Sequence, residues 1–140
     1  MEHPELATTL IAFKQEISSF VVVGERKELL VSFSCKESVF VIDLGNHFVV
    51  KSRIHTEMPI RRLNYFWSAS QPFLLLMPYE NFLIVYSLGS NGYCRLRGHK
   101  SFIASALFNQ QSERIISAGM DHQICMTRLG SIKEESWIGA

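Results

Sequence analysis

One stretch of sequence decides the fold: residues 97–129, RGHKSFIASALFNQQSERIISAGMDHQICMTRL. It contains three short apolar segments, the first of which alternates apolar and polar residues, and residues that favour turns separate them. This pattern predicts three consecutive antiparallel strands, joined by a turn over 109–113 and a tighter turn over 119–121. A Gly98-His99 pair precedes the first strand. The stretch is therefore a β-rich module with polar residues in its loops.

The same strand pattern occurs three times along the chain. Ile17, Ile60 and Ile103 lie 43 residues apart, and each is followed by apolar residues three and five positions later. A period of about 40 to 45 residues with four short strands is typical of β-propeller blades. The sequence therefore predicts an all-β fold, a partial propeller that occupies the chain as a single region. Its predicted parts are an outer strand over 7–13 and blades over 17–54, 60–97 and 103–137, the last ending in a fourth strand over 132–137.

Three blades are too few to close a ring. Propellers typically contain four to eight blades, and each blade buries its faces against its neighbours. The first and last blades are therefore expected to expose apolar surface. Two explanations stay open: the chain is a portion of a longer propeller, which we favour, or another chain supplies the missing blades.

Three polar residues of the third blade are expected to form a hydrogen-bonded network. His99, in the loop before the inner strand, can donate to Asp121 in the tight turn, while Ser117 holds the other side of the imidazole. A Ser, a His and an Asp in one module also fit a catalytic triad. No glycine loop suited to an oxyanion hole follows the Ser, however, so we predict a structural role for all three.

Composition limits the classes of function. Hydrophobic residues make up 47% of the 140 residues and charged residues 19%, which fits a globular, β-rich domain. The formal net charge of +1 does not call for a nucleic-acid or anionic-membrane partner. The N-terminal sequence lacks a basic region followed by an apolar core, and no apolar run approaches about 18 residues. We therefore expect neither a signal peptide nor a membrane span.

The sequence predicts no cofactor, no metal site and no catalytic centre. The three cysteines, Cys35, Cys94 and Cys125, form no CxxC pair and fit reduced thiols of an intracellular protein. The histidines lack the spacing of metal ligands. The eight glycines are scattered at turns and form no phosphate-binding loop. We therefore expect a protein that is not an enzyme.

Five basic residues and one tryptophan are candidates for contact with a partner. They are Arg61, Arg62, Trp67, Arg95, Arg97 and Lys100. The cationic side chains could touch nucleic-acid phosphates, but such charges more often form a solvated rim, so direct nucleic-acid binding is not expected. Trp67 could present its ring on a propeller face or cover a blade edge.

The third blade resembles WD repeats. The resemblance is carried by GH at 98–99, SA at 105–106 and GMDH at 119–122, and in this form it is similar to one blade of the Polycomb WD-repeat subunits called extra sex combs or embryonic ectoderm development. The segment 29–44 is similar to another blade of that family. The family has Trp where this chain has Thr127, so the polar network is expected to be shorter and less shielded from water.

The Polycomb resemblance implies a nuclear scaffold in a repressive complex that supports histone H3 lysine methylation. In that family the propeller grips a SET-domain histone methyltransferase subunit and recognises the methylated histone H3 tail. Methyl-lysine recognition needs an aromatic cage. The aromatic residue that the family has before its first inner strand has no counterpart near Glu16 and Ile17, so no cage residues are assigned. The histone tail is therefore a weaker expectation than the methyltransferase.

A second resemblance is to the WD-repeat partners of transfer-RNA methyltransferases. It rests on VYSL at 85–88 and GHKS at 98–101. That family has an acidic and a basic residue after the Asp of its turn, whereas His122 and Gln123 follow Asp121 here. The alternative function is therefore a non-catalytic partner of such an enzyme, or another protein-interaction propeller.

Overall fold

Antiparallel β-sheet dominates the structure. A computed structural model describes residues 16–23, 30–35, 37–43, 49–69 and 71–139, which form eleven strands in three sheets followed by two short 3₁₀ turns. The predicted outer strand over 7–13 lies outside the described residues. Within the described part of the chain, no helix has the length and apolar character needed to cross a bilayer.

Within each sheet, every strand pairs with the next one along the chain. We call the three sheets blade one, blade two and blade three. Blade one contains β1 (Ile17–Val23), β2 (Leu30–Cys35), β3 (Ser38–Asp43) and β4 (Val49–His55). Blade two contains β5 (Ile60–Ser68), β6 (Gln71–Pro78), β7 (Phe82–Ser87) and β8 (Tyr93–Arg97). Blade three contains β9 (Ile103–Asn109), β10 (Arg114–Gly119) and β11 (Ile124–Arg128).

The fourth strand predicted for blade three over 132–137 is wrong. Two 3₁₀ turns, Leu129–Ser131 and Glu134–Ser136, occupy this part of the chain instead. Ile132 and Trp137 are apolar residues in a polar segment, and both pack against the core between blades two and three. The chain therefore returns to blade two, where the backbone of Ile138 exchanges two hydrogen bonds with Tyr93 of β8, at 2.9 and 2.7 Å.

Blade two lies between two apolar cores. Its strand β6 contains the run LLLM at 74–77, whose side chains alternate between them. Leu74 and Leu76 pack towards blade one, whereas Leu75 and Met77 pack towards blade three. All four are at most 1% exposed. A continuous apolar run is required here because both faces of the strand are covered.

Side chains of the inner strands join successive blades. The Ser18 hydroxyl donates to the carbonyl of Ile60 at 2.5 Å, and the Asn64 amide donates to the carbonyl of Ala106 at 2.9 Å. In each pair the acceptor lies 42 residues after the donor, one less than the spacing of the repeat. The contact equivalent to that of Ser18, 43 residues later, is the one from the Arg61 guanidinium to the carbonyl of Ile103. At the second junction, the stacked rings of Phe66 and Phe108 lie 4.2 Å apart.

Candidate functional site

The structure brings His99, Ser117 and Asp121 together in blade three. His99 Nδ1 lies 3.0 Å from Asp121 Oδ1, and His99 Nε2 lies 2.8 Å from Ser117 Oγ. A carboxylate only accepts hydrogen bonds, so Nδ1 carries the proton in this pair. In the neutral imidazole, Nε2 then accepts from the Ser117 hydroxyl. The imidazole is thus fixed from both sides, by a strand and by a turn.

Asp121 also organises the backbone around the network. Its carboxylate accepts from the Lys100 backbone N–H at 2.7 Å and from the Gln123 backbone N–H at 3.2 Å. The Lys100 N–H, and next the His99 ring, hold the pKa of Asp121 well below its usual value, at about 2. One charged side chain therefore ties the loop before β9 to the turn after β10.

Gly119 leaves the space that this network occupies. A Cβ atom at this position would overlap both His99 Nδ1 and Asp121 Oδ1. The turn that follows is tight, because His122 adopts a left-handed conformation with φ of 66°. The Gly119 N–H donates to the carbonyl of Gln123 at 3.0 Å. The glycine is therefore needed for close approach of side chains.

Thr127 stands beside the network, where the WD repeat has Trp. A cavity of about 10 Å³, close to the volume that one water needs, is lined by residues that include His99, Ser117, Cys125 and Thr127. No indole ring fills this space. The side chain of Thr127 is half-buried, and Cys125 Sγ donates to the carbonyl of Gly98 at 3.6 Å.

The network has the composition of a catalytic triad but no access for a substrate. His99 and Ser117 are each 6% exposed. A nucleophile must reach a reacting carbon, and an oxyanion hole must lie beside it. Ser117 lies on the middle strand of the sheet, between β9 and β11. Its hydrogen bond to His99, together with those of Asp121, connects the loop before β9 to the turn after β10.

The cationic candidates form two separate groups. Arg61 and Arg62 lie on β5, and their guanidinium groups donate to the carbonyls of Ile103 and Ala104 on the inner strand of blade three. Both arginines therefore take part in the blade junction. Arg95 and Arg97 lie on β8, at the opposite edge of the same sheet. Three strand spacings of about 4.8 Å separate the two edges, so the four arginines do not form one patch.

Arg95 and Arg97 form a small cationic surface at the outer edge of blade two. Their guanidinium carbons lie 5.2 and 5.3 Å from the centre of the Phe82 ring, within the range of cation–π contacts. Arg95 also lies 3.6 Å from a carboxylate oxygen of Glu57. We call Phe82, Arg95 and Arg97 the arginine rim. It carries two positive charges beside one carboxylate, and both arginines are exposed.

The remaining two candidates lie apart from the arginine rim. Lys100 is exposed in the loop that enters blade three, and its backbone N–H holds Asp121. Trp67 is half-buried near the end of β5, opposite Pro72 of β6. An exposed charge and a half-buried ring are compatible with partner contact, but the structure does not bring them together.

Trp137 is an aromatic residue whose position the sequence did not reveal. It lies in the segment 132–137, which the sequence predicted to be the fourth strand of blade three. Its ring instead lies 6.3 Å from that of Phe73 in blade two. Together with Gln71, Ser87 and Glu134 it lines an open groove of about 390 Å³. The preceding 3₁₀ turns position this ring. The apolar residues in this segment are isolated from one another, so they show no periodicity from which the turns could be predicted.

In the part of the chain that the structure describes, the cysteines and histidines do not gather around a common point. Cys94 is buried, and its burial raises the pKa of the thiol to about 11. Cys94 and Cys125 are free thiols. Among the residues that the structure describes, no three His, Cys, Asp or Glu side chains are close enough to hold a metal ion.

The comparisons with known proteins bear on the fold. The sequence matches no protein-family model and no curated protein. Among solved structures, the WD40 repeats of RRP9 are similar over 92% of this chain and 39% of that one, with a TM-score of 0.71 and 12% identity. The structure of U3-55K is similar over 92% of this chain and 40% of that one, also with a TM-score of 0.71 and 12% identity.

The chain thus spans about two fifths of the length of these two solved structures. At this identity the similarity concerns the backbone, and it agrees with the three sheets, their strand order and the threefold repeat. The predicted fold class is confirmed: the chain is all-β and adopts part of a WD-repeat β-propeller.

Proposed function

We propose that this protein is a non-catalytic scaffold that binds a protein partner through the arginine rim. Propellers present rigid loops and strand edges around a packed core, and most of their roles depend on which residues these surfaces carry. The observation that carries the proposal is the pair of exposed guanidinium groups on the Phe82 ring. Arginine is enriched at interfaces because a planar cation can stack and hydrogen-bond at once.

The charges on the rim favour an acidic partner segment. Arg95 and Arg97 are in close proximity, and Glu57 offsets only part of their charge. A carboxylate from a partner would reduce the repulsion between the two guanidinium groups and accept their hydrogen bonds. The Phe82 ring packs against both guanidinium groups, at 5.2 and 5.3 Å from its centre. A short acidic peptide is therefore the chemistry that this surface fits best.

The finer proposal is that the scaffold belongs to a Polycomb-type repressive complex in the nucleus. It rests on the resemblance of residues 97–129 and implies that the partner is a SET-domain histone methyltransferase subunit. A role in histone H3 tail recognition is a further part of this hypothesis. The alternative, a partner of a transfer-RNA methyltransferase, rests on the segments 85–88 and 98–101.

Affinity purification from nuclear extract of the source organism tests the proposal. The tagged chain is compared with Arg95→Ala, Arg97→Ala and, as a control, Lys133→Ala, which removes an exposed charge that does not belong to the rim. We expect a SET-domain methyltransferase in the wild-type and control samples and a reduced yield with the two rim variants. Recovery of a transfer-RNA methyltransferase would favour the alternative. Equal yields from all variants would contradict a role for the rim.

A further inference from the structure

An open groove lies at one end of blade two, away from the arginine rim. Its volume is about 390 Å³, within the usual range for ligand pockets. The described residues that line it come from the start of β6, from the end of β7 and the turn after it, and from the segment that follows blade three: Gln71, Phe73, Ser87, Ser90, Glu134 and Trp137. Phe82 of the rim begins β7, about 17 Å along the strand from Ser87. The groove is therefore a separate surface of the same blade.

Two aromatic rings form the apolar part of the groove, and both are held in place. The Phe73 ring stacks on that of Phe66 with 5.0 Å between their centres, and Phe66 stacks in turn on Phe108 of blade three at 4.2 Å. The Trp137 ring lies 6.3 Å from that of Phe73, and the two ring planes are inclined by 46°. The backbone beside Trp137 is fixed as well, because Ile138 pairs with the first residue of β8. The rings are therefore positioned before any ligand binds, which lowers the entropic cost of binding.

The 3₁₀ turn Glu134–Ser136 places a carboxylate beside the Trp137 ring. The Trp137 backbone N–H donates to the carbonyl of Glu134 at 3.1 Å. Side chains three residues apart lie on the same side of such a turn, and both of these line the groove. Glu134 is exposed, and in the part of the chain that the structure describes no cationic side chain forms an ion pair with it. It is also the only charged residue among the described residues that line the groove, so the groove favours a cation.

The rest of the lining is neutral and offers hydrogen-bond acceptors. The buried Ser87 hydroxyl accepts from the Ser90 backbone N–H at 3.2 Å, which ties the turn after β7 to the strand. The side chains of Gln71 and Ser90 are exposed. Their amide and hydroxyl oxygens can accept hydrogen bonds from a ligand. A cation with several N–H groups therefore finds acceptors beside the two rings.

We infer that this groove binds the side chain of an arginine that a partner polypeptide presents. A guanidinium group is planar, so it can stack on the Trp137 ring while its edge donates two hydrogen bonds to the Glu134 carboxylate. A lysine ammonium has no planar face to stack and cannot form the two parallel hydrogen bonds. The inference does not depend on the arginine rim, which carries the opposite charge and lies at the other end of the blade.

Proton–nitrogen NMR of the isotope-labelled 140-residue chain, titrated with the tripeptide acetyl-Gly-Arg-Gly-amide, tests the inference. The chain contains two tryptophans, so the indole N–H signal of Trp137 can be followed beside that of Trp67, which does not line the groove. We expect a saturable shift of the Trp137 indole signal and of the Ser90 backbone N–H signal, with the Trp67 signal unchanged. The same peptide with lysine in place of arginine should bind more weakly. The peptide with citrulline, a neutral group of similar shape, should cause no saturable shift.

Variants separate the contribution of the charge from that of the ring. Glu134→Gln keeps the shape of the side chain and should weaken binding of the arginine peptide about two- to fivefold, as expected for an exposed ion pair. Glu135→Gln is the matched control, because this neighbouring carboxylate is exposed but does not line the groove. Trp137→Leu should abolish the saturable shift of the Ser90 signal, while unchanged signals of β7 show that blade two stays folded.

Three results of this titration would overturn the inference. They are the absence of a saturable shift at Trp137, equal affinity for the arginine peptide and either of the other two peptides, and equal affinity of Glu134→Gln and Glu135→Gln. Arg95→Ala removes a charge of the rim and should bind the tripeptide as the wild type does, whereas loss of binding in this variant would place the peptide on the rim instead. A failure of the rim in the affinity purification and a failure of the groove in this titration are therefore distinguishable.

Discussion

Blade two and blade three follow the same register but fix their loops by different means. Leu76 and Ser117 occupy equivalent positions on the middle strands, and both are buried, at 0% and 6% exposure. In blade three the serine completes the network with His99 and Asp121. In blade two the leucine joins the apolar core next to blade one.

The loop positions of the two blades differ in the same way. Thr56 lies one repeat before His99, and its hydroxyl donates to the nearby carbonyl of Met58 at 2.6 Å. Glu80 takes the place of Asp121 and is exposed. Packing therefore holds the loops of blade two, whereas directional hydrogen bonds hold the loops of blade three.

The largest effect is expected from the core of blade two. Leu75→Ala removes a side chain that is fully buried at the junction with blade three. The lost packing and the cavity should lower the free energy of unfolding by about 2 to 5 kcal/mol. Urea denaturation at one protein concentration measures this loss of stability. Val50→Ala serves as the control, because Val50 is 48% exposed. Its free energy of unfolding should change by no more than about 0.5 kcal/mol.

An effect of intermediate size is expected from the turn of blade three. In Gly119→Ala the added methyl overlaps His99 Nδ1 and Asp121 Oδ1, so the network must move apart. Overpacking of this kind costs about 1 to 3 kcal/mol of stability. Gly130→Ala is the matched control, because no atom lies within 4 Å of its added Cβ. Equal urea midpoints for the two variants would contradict the close approach described for Gly119.

The charge of Asp121 should make the stability of blade three depend on pH. Its pKa is lowered to about 2 in the folded chain, whereas in the unfolded chain it is near 4. The stabilisation is therefore fully present above about pH 4 and is lost as the pH falls towards about 2. In Asp121→Asn, an amide NH₂ replaces an oxygen that accepts from a backbone N–H. The difference in urea midpoint between wild type and variant should shrink from pH 6 to pH 2, and a constant difference would contradict the assignment.

The smallest effect is expected from the polar contacts between inner strands. Asn64→Ala removes two hydrogen bonds, one that the amide donates to the carbonyl of Ala106 and one that its oxygen accepts from the Tyr65 backbone N–H, and leaves a half-buried site. The expected loss is about 1 to 2 kcal/mol, since a neutral hydrogen bond contributes about 0.5 to 1.5 kcal/mol. Arg62→Ala should lose less, since its bond is longer, at 3.3 Å, and exposed. The order of the two urea midpoints checks this ranking.

The fold was predictable because its strongest signal is periodic. The isoleucines at 17, 60 and 103 begin three inner strands, and the apolar residues after them mark the face that packs on the preceding blade. The spacing of His99, Ser117 and Asp121 placed them in two loops and a strand of the same blade. Tertiary contacts that have no period were not predictable. Trp137 turns back to Phe73 in blade two.

The most direct test of the central claim is native-state hydrogen exchange of the wild type and Asp121→Asn, followed residue by residue at neutral pH. If the polar network holds blade three, the variant should lose protection over residues 97–129, while the amides of β6 and β7 in blade two keep the protection that they have in the wild type. A uniform loss of protection in both blades, or unchanged protection in blade three, would contradict the claim that the two blades are held by different means.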